Sequence, residues 1–240
     1  MKTLKNTVLL SAAMTLAVPS FALAEGLYVT GQLGGNLQTS AAMPFGQNIA
    51  TDADFPAEFD GGAGLQAGLG LGYAISDTLR VEARLAYQKS RFDDTQMGTG
   101  ARDGEEYILN GGVASTSFTV EGFYDFDLSG SITPFVKAGL GVSSNSVTAR
   151  LGGEGVAAFD AFDGEEDGYY DAYADETSTA FTWNIGTGAS FDVSEKVALF
   201  GEYQFASYGD VQTGQDSFTD GFKIDNVLRH SVVIGARFNF

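Results

Sequence analysis

The chain has 240 residues, a formal net charge of −18 at pH 7, 13 Lys+Arg against 31 Asp+Glu, no Cys and one His. Without cysteine there is no disulfide framework, thiolate zinc site or cysteine nucleophile, and one histidine leaves no His-pair metal site. A pI near 4.1 excludes a basic nucleic-acid face, and 44% hydrophobic residues exclude disorder by composition.

Residues 1–24 read as an export signal. Lys2 and Lys5 form a basic start, Val8 to Val18 an apolar core, and Ala22-Leu23-Ala24 a small-x-small cleavage site. The apolar core is far shorter than the ~20 residues of a spanning helix. The expected mature domain is 25–240.

Beyond the signal the chain alternates with a period of two, the signature of strands. Eight segments follow in order: 27–37, 65–75, 79–87, 116–126, 134–142, 181–191, 197–205 and 232–240. The second is typical, with Leu65, Ala67, Leu69, Leu71 and Tyr73 on one face against Gln66, Gly68, Gly70 and Gly72 on the other. The connections alternate too. Those at 76–78, 127–131 and 194–196 are short; those at 38–60, 89–111, 144–178 and 206–226 are long. An up-and-down barrel crossing a membrane has this form.

Face chemistry decides between water and lipid. One face carries Gly, Ser and charged residues, as a narrow interior requires. The other is aliphatic in mid-strand and aromatic at both ends. Tyr73, Tyr124, Phe126, Phe191, Phe238 and Phe240 fall at the tight-turn end; Tyr87, Phe118, Phe181, Trp183, Tyr203 and Phe205 fall at the loop end. Two aromatic rings around an aliphatic band match the two interfaces of a bilayer. The expected fold is all-β: an eight-stranded antiparallel up-and-down transmembrane β-barrel with long extracellular loops. It must close, because lipid offers no partner to a free strand edge.

The inward face nominates an ion-pair network of Arg80, Glu82, Arg84, Glu121, Lys137, Glu202, Arg229 and Arg237, with Asp125 and Asp192 as further acids. Charges in so narrow a space are desolvated and must pair. The third long connection holds nine acids and no base between Glu154 and Glu176. Within it Asp163, Glu165, Asp167 and Asp171 partly match an EF-hand loop, so calcium is the one metal expected there. Ala174 stands where the bidentate Glu belongs. No other cofactor is implied. His230 falls in the outward phase, and no nucleophile–base–orienter set is visible, so no enzyme activity is expected.

The last strand runs Ile234-Gly-Ala-Arg-Phe-Asn-Phe240. Its Phe238 and Phe240 resemble the C-terminal signature of Gram-negative outer-membrane barrels, read by the barrel assembly machinery. Gly122-Phe-Tyr-Asp-Phe-Asp127 and Ile132-Thr-Pro-Phe-Val-Lys-Ala-Gly-Leu-Gly-Val142 resemble the porin-like surface antigens of the OmpA-barrel type. The resemblance implies an outer-membrane location, contact with outer-membrane lipid and lipopolysaccharide, and a structural surface role with acidic loops open to adhesion or cations. A narrow channel for ions or small solutes is the alternative.

Overall fold

A computed structural model describes residues 26–39, 41–42, 47–48, 53–54, 58–59, 61–97, 104, 106–128, 130–153, 169, 171–214, 221 and 223–240. The proposed export signal, residues 1–24, lies outside the described residues. The alternating segments become eight strands: β1 (Leu27–Gln38), β2 (Ala63–Ala74), β3 (Leu79–Met97), β4 (Glu106–Asp125), β5 (Ile132–Gly153), β6 (Asp171–Ser194), β7 (Val197–Ser207) and β8 (Leu228–Asn239). Each pairs antiparallel with its neighbours in sequence, and β1 pairs with β8 to close the barrel. Two short ladders lie in the β1–β2 connection, Ala41–Ala42 with Glu58–Phe59 and Gln47–Asn48 with Ala53–Asp54.

The register keeps each face continuous from strand to strand. Val29 pairs with Leu71, Leu71 with Ala83, Ala83 with Val120 and Val120 with Leu140. A slip of one residue would send this aliphatic set inside, so burial polarity fixes the pairing. At two short turns a serine takes up free backbone donors. Leu79 N donates to Ser76 Oγ (3.2 Å) and Val197 N to Ser194 Oγ (3.1 Å).

The polarity is inverted relative to a water-soluble barrel. Leu65 is 75% exposed and Ile234 72%, whereas Arg84 is 3% exposed and Glu121 1%. Aliphatic side chains cover the outside of the band and charges fill its interior.

The structure corrects the loop boundaries. β1, β2, β7 and β8 have 11 or 12 residues, but β3 to β6 have 19, 20, 22 and 24. A tilted strand crosses a bilayer in about 9–11 residues. Half the wall therefore continues well past the loop-end aromatic ring, through much of the segments expected as loops at 89–111 and 144–178. The physical reason is a change of phase. Past Tyr87, Phe118, Val142 and Phe181, the inward positions turn apolar: Phe92, Leu109, Val113, Val147, Ala149 and Tyr173 are buried. The outward positions there include Lys89, Arg91, Ser144, Ser146, Thr148 and Thr177, with Ser146 paired to Thr177. The period of two persists while the hydrophobic face swaps sides, as it must where lipid gives way to water.

The inner face of this extension is covered by the β7–β8 connection. Tyr208, Val211, Ile224 and Val227 join Phe92, Leu109, Val113, Val147, Ala149, Tyr173 and Ala206 in one hydrophobic cluster. The chain turns inward at Gly209 (φ 70°), where a Cβ would sit 2.6 Å from that of Ala180, so only glycine fits. Ser143 Oγ and Asn145 Nδ2 donate to Tyr208 O (3.0 and 2.9 Å), and Gly214 N to Ala174 O (2.7 Å). Ala174 belongs to a β-bulge in β6 between Tyr173 and Glu176. The conventional core of this protein thus sits above the charged lumen, at its outer mouth.

Candidate functional site

The interior is built in tiers. In the middle tier β3 supplies Glu82 and Arg84, β4 Glu121, β5 Lys137 and β7 Glu202. Arg84 spans all three acids: Nη2 lies 2.8 Å from Glu82 Oε1, Nε 3.4 Å from Glu121 Oε2, and Nη1 3.6 Å from Glu202 Oε1. Lys137 Nζ lies 3.1 Å from Glu121 Oε2 and 2.5 Å from Glu202 Oε1. Thr30 Oγ1 donates to Glu82 (2.9 Å) and Asn184 Nδ2 to Glu121 (3.0 Å). Three carboxylates thus face two cations, all nearly free of solvent. Glu82 and Glu121 pair directly across the β3–β4 ladder; without a cation between them, like charges there would repel.

Room for these side chains comes from glycines on the facing wall. A Cβ at Gly70 would lie 2.0 Å from Glu82 Oε1, and one at Gly72 would lie 2.1 Å from the Tyr28 ring. The alternating glycines of β2 are the space into which β1 and β3 project.

Below the middle tier Arg80 forms a bidentate pair with Asp125 (2.5 and 2.8 Å) and lies 4.4 Å over the Phe123 ring. Arg237 reaches the solvent-exposed Asp192 at 3.9 Å and flanks Tyr28. These two arginines are a separate group from the middle tier. Arg229 departs from expectation altogether. Fully buried, it pairs with no carboxylate among the described residues. Its guanidinium donates to Ser115 Oγ (3.0 Å), Ser90 Oγ (3.2 Å), Gln38 Oε1 (3.4 Å) and Val113 O (3.0 Å), and faces the Tyr208 ring at 5.0 Å. The physical reason is height: β8 places Arg229 above the acids, at the level where the interior turns neutral.

Gln88 Nε2 donates to Tyr208 OH, joining this upper tier to the hydrophobic cluster. Tyr208 was not a sequence candidate, because it lies outside every alternating run. Gln88 and Ser90 continue the inward phase of β3. Between the tiers, one cavity of about 10 Å³ lies beside Arg80 and Arg237 and another beneath Tyr208; each holds about one water at most. At the tight-turn mouth a wider recess of about 600 Å³ reaches Tyr28, Arg80, Asp125 and Arg237.

Of the calcium candidates, Asp163, Glu165 and Asp167 lie outside the described residues. Asp171 opens β6 as paired backbone opposite Leu151. His230 faces outward, with Nδ1 2.6 Å from Tyr203 OH and its ring 4.8 Å from that of Phe205. Phe238 and Phe240 stand on the tight-turn rim with their rings 5.5 Å apart.

Outside the membrane band the β7–β8 connection is clasped. Lys223 Nζ lies 2.8 Å from both Asp210 and Asp225, and Asn226 N donates to Asp210 Oδ1 (3.0 Å). The Lys223 hydrogen bond, aided by that of Asn226, holds the Asp210 carboxyl below its ordinary value. A lowered folded-state value gives stability that is complete above the unfolded value, about 3.9, and lost as pH falls through the folded one. Amide protection at 208–214 and 223–227, relative to the intrinsic exchange rate at each pH, is therefore expected to fall only below about pH 4. Asp210→Asn is expected to remove that dependence. Wild-type protection that already falls between pH 7 and 5 would contradict it.

A closed antiparallel wall, aliphatic outside between two aromatic rings and ionic inside, defines a transmembrane β-barrel of the Gram-negative outer membrane. The chain belongs to the outer membrane protein beta-barrel domain family, whose model matches residues 8–240. It is 25% identical over 221 residues to the outer membrane protein PagN of Salmonella typhimurium, covering 81% of this chain and 79% of PagN. In fold it is similar to Neisserial surface protein A (18% identity, TM-score 0.50, 90% of this chain and 98% of that one). The outer membrane protein OprG of Pseudomonas aeruginosa matches at 12% identity and TM-score 0.49, over 90% of this chain and 97% of its own.

Proposed function

We propose that the protein is a closed, non-catalytic structural element of the outer membrane that holds a folded, acidic surface above it. The filled lumen carries this reading. An eight-stranded barrel has just enough interior for side chains; here two tiers of ion pairs occupy it, and a hydrophobic cluster caps it. The cavities between the tiers, of about 10 Å³ each, are too small for a conduit, and the wider recess at the tight-turn mouth is lined by the paired Arg80 and Asp125. The one histidine is engaged with Tyr203 and Phe205 on the outer wall, away from the lumen carboxylates, which favours a non-catalytic barrel. The extension of β3 to β6 and the acidic connection after β5 are the parts presented for adhesion or cation contact. Assembly through Phe238 and Phe240 by the barrel assembly machinery belongs to the same reading.

Planar-bilayer recording of the purified barrel tests it. The expected trace has no unitary steps, and cells lacking the protein are expected to gain detergent sensitivity that the chain restores. A reproducible unitary conductance in the wild type would replace this reading with that of a narrow channel.

A further inference from the structure

The recess at the tight-turn mouth, about 600 Å³, has Arg80 and Arg237 at its floor and Tyr73, Ile75 and Phe240 at its rim. The two arginines are engaged differently. Arg80 gives three hydrogen bonds, two to Asp125 and one to Tyr28 OH (3.3 Å). Arg237 makes none among the described residues. Its one ion-pair contact there is Asp192, at 3.9 Å, beyond hydrogen-bond reach. Its Nε is buried without a partner.

Register explains the difference. Arg80 pairs with Phe123, so Asp125 is its diagonal neighbour on the adjacent strand, within easy reach. Asp192 and Arg237 stand two strands apart, on either side of Ala198, about 10 Å at the backbone. The cations of the other tiers are all hydrogen-bonded: Arg84 to Glu82, Lys137 to Glu121 and Arg229 to Ser115. A guanidinium presents five donors in a planar fork that suits a carboxylate or phosphate. Among the inward-facing cations of the described residues, Arg237 alone keeps that fork unused, and it does so beside an open recess.

The geometry points to a carboxylate-binding site in this recess, centred on Arg237, for the end of a short periplasmic peptide. Short turns face the periplasm and long connections the exterior, so the recess opens to the periplasm. Its lining carries two arginines against Asp125 and Asp77 and so balances in charge. A dianion such as phosphate would gain Arg237 but face both aspartates. A peptide end brings one carboxylate for Arg237 together with N–H donors, for which Asp77 at the rim is an acceptor. Its side chains meet Tyr73, Ile75 and Phe240. The site is the same whether or not the interior conducts.

NMR of the full chain in neutral detergent micelles, titrated with trialanine, reads the site through the Arg237 Nε–H and Tyr28 amide signals. Saturable shifts are expected. Trialanine amide, which lacks the carboxylate, is expected to bind at least about 10-fold more weakly, and Arg237→Gln to weaken trialanine by as much, read at Tyr28. Because Arg237 gives no hydrogen bond within the barrel, the variant is expected to keep the gel shift of the folded protein. Lys89→Gln, at the opposite end of the barrel, is expected to change nothing. The absence of saturable shifts in the wild type would overturn the site. Equal wild-type affinity for trialanine and its amide would overturn the carboxylate assignment. Inorganic phosphate that displaces trialanine at equal concentration would overturn the assignment to a peptide.

Discussion

Arg84→Met is expected to cost about 3–5 kcal/mol of barrel stability, the loss typical of a broken buried charge network. Arg84 contacts Glu82, Glu121 and Glu202; without it, three desolvated carboxylates are left with Lys137 alone. The same tier predicts an asymmetry. Acids outnumber bases there, and Glu82 Oε2 has no hydrogen-bond partner, so Glu82→Gln is expected to cost about 1 kcal/mol or less. Urea unfolding of both variants in lipid vesicles measures the difference. Equal losses would mean that Arg84 acts by packing rather than by charge. A loss below about 1 kcal/mol for Arg84→Met would remove the network as a source of stability.

Tyr208→Ala is expected to cost about 3–5 kcal/mol, as for other buried aromatic truncations, and to free the connection over the outer mouth. Tyr208 anchors that connection from three directions: its ring faces Arg229, its hydroxyl accepts from Gln88, and its carbonyl accepts from Ser143 and Asn145. Only the side-chain contacts vanish in the variant. Tyr208→Phe keeps the ring and is expected to cost about 1 kcal/mol, one hydrogen bond. Hydrogen exchange at 206–214 reads the release. Planar bilayers are still expected to show no current through Tyr208→Ala, because the Arg84–Lys137 tier lies beneath and is untouched. Unitary current in that variant would mean that the cap alone closes the pore.

The eight crossing strands were legible because alternation and terminal aromatics are one-dimensional signals. A residue's face follows from its parity, and its height from its distance to a turn. That also placed Glu82, Arg84, Glu121, Lys137 and Glu202 in one layer, where the structure brings their charges together. The upper halves of β3 to β6 were hidden by the reversal of hydrophobic phase. Phe92, Val113 and Val147 sit at inward parity, where the membrane band holds polar residues, so the run seemed to end where it only changed solvent. Arg229 was legible as inward and no further. Its partners Gln38, Ser90, Ser115 and Val113 lie on three other strands, and the cross-barrel meeting of neutral groups leaves no mark in sequence. Tyr208 belongs to no periodic run, so its place under the cap is a purely tertiary fact.

Because β3 to β6 outgrow the bilayer as unbroken strands, one flank of the molecule is a stiff, serine- and threonine-rich parapet standing over the leaflet. A bulky body sliding along the cell surface from that side meets the face of a hydrogen-bonded sheet before it meets lipid. Contact made there is therefore shaped by backbone pairing as well as by side-chain chemistry.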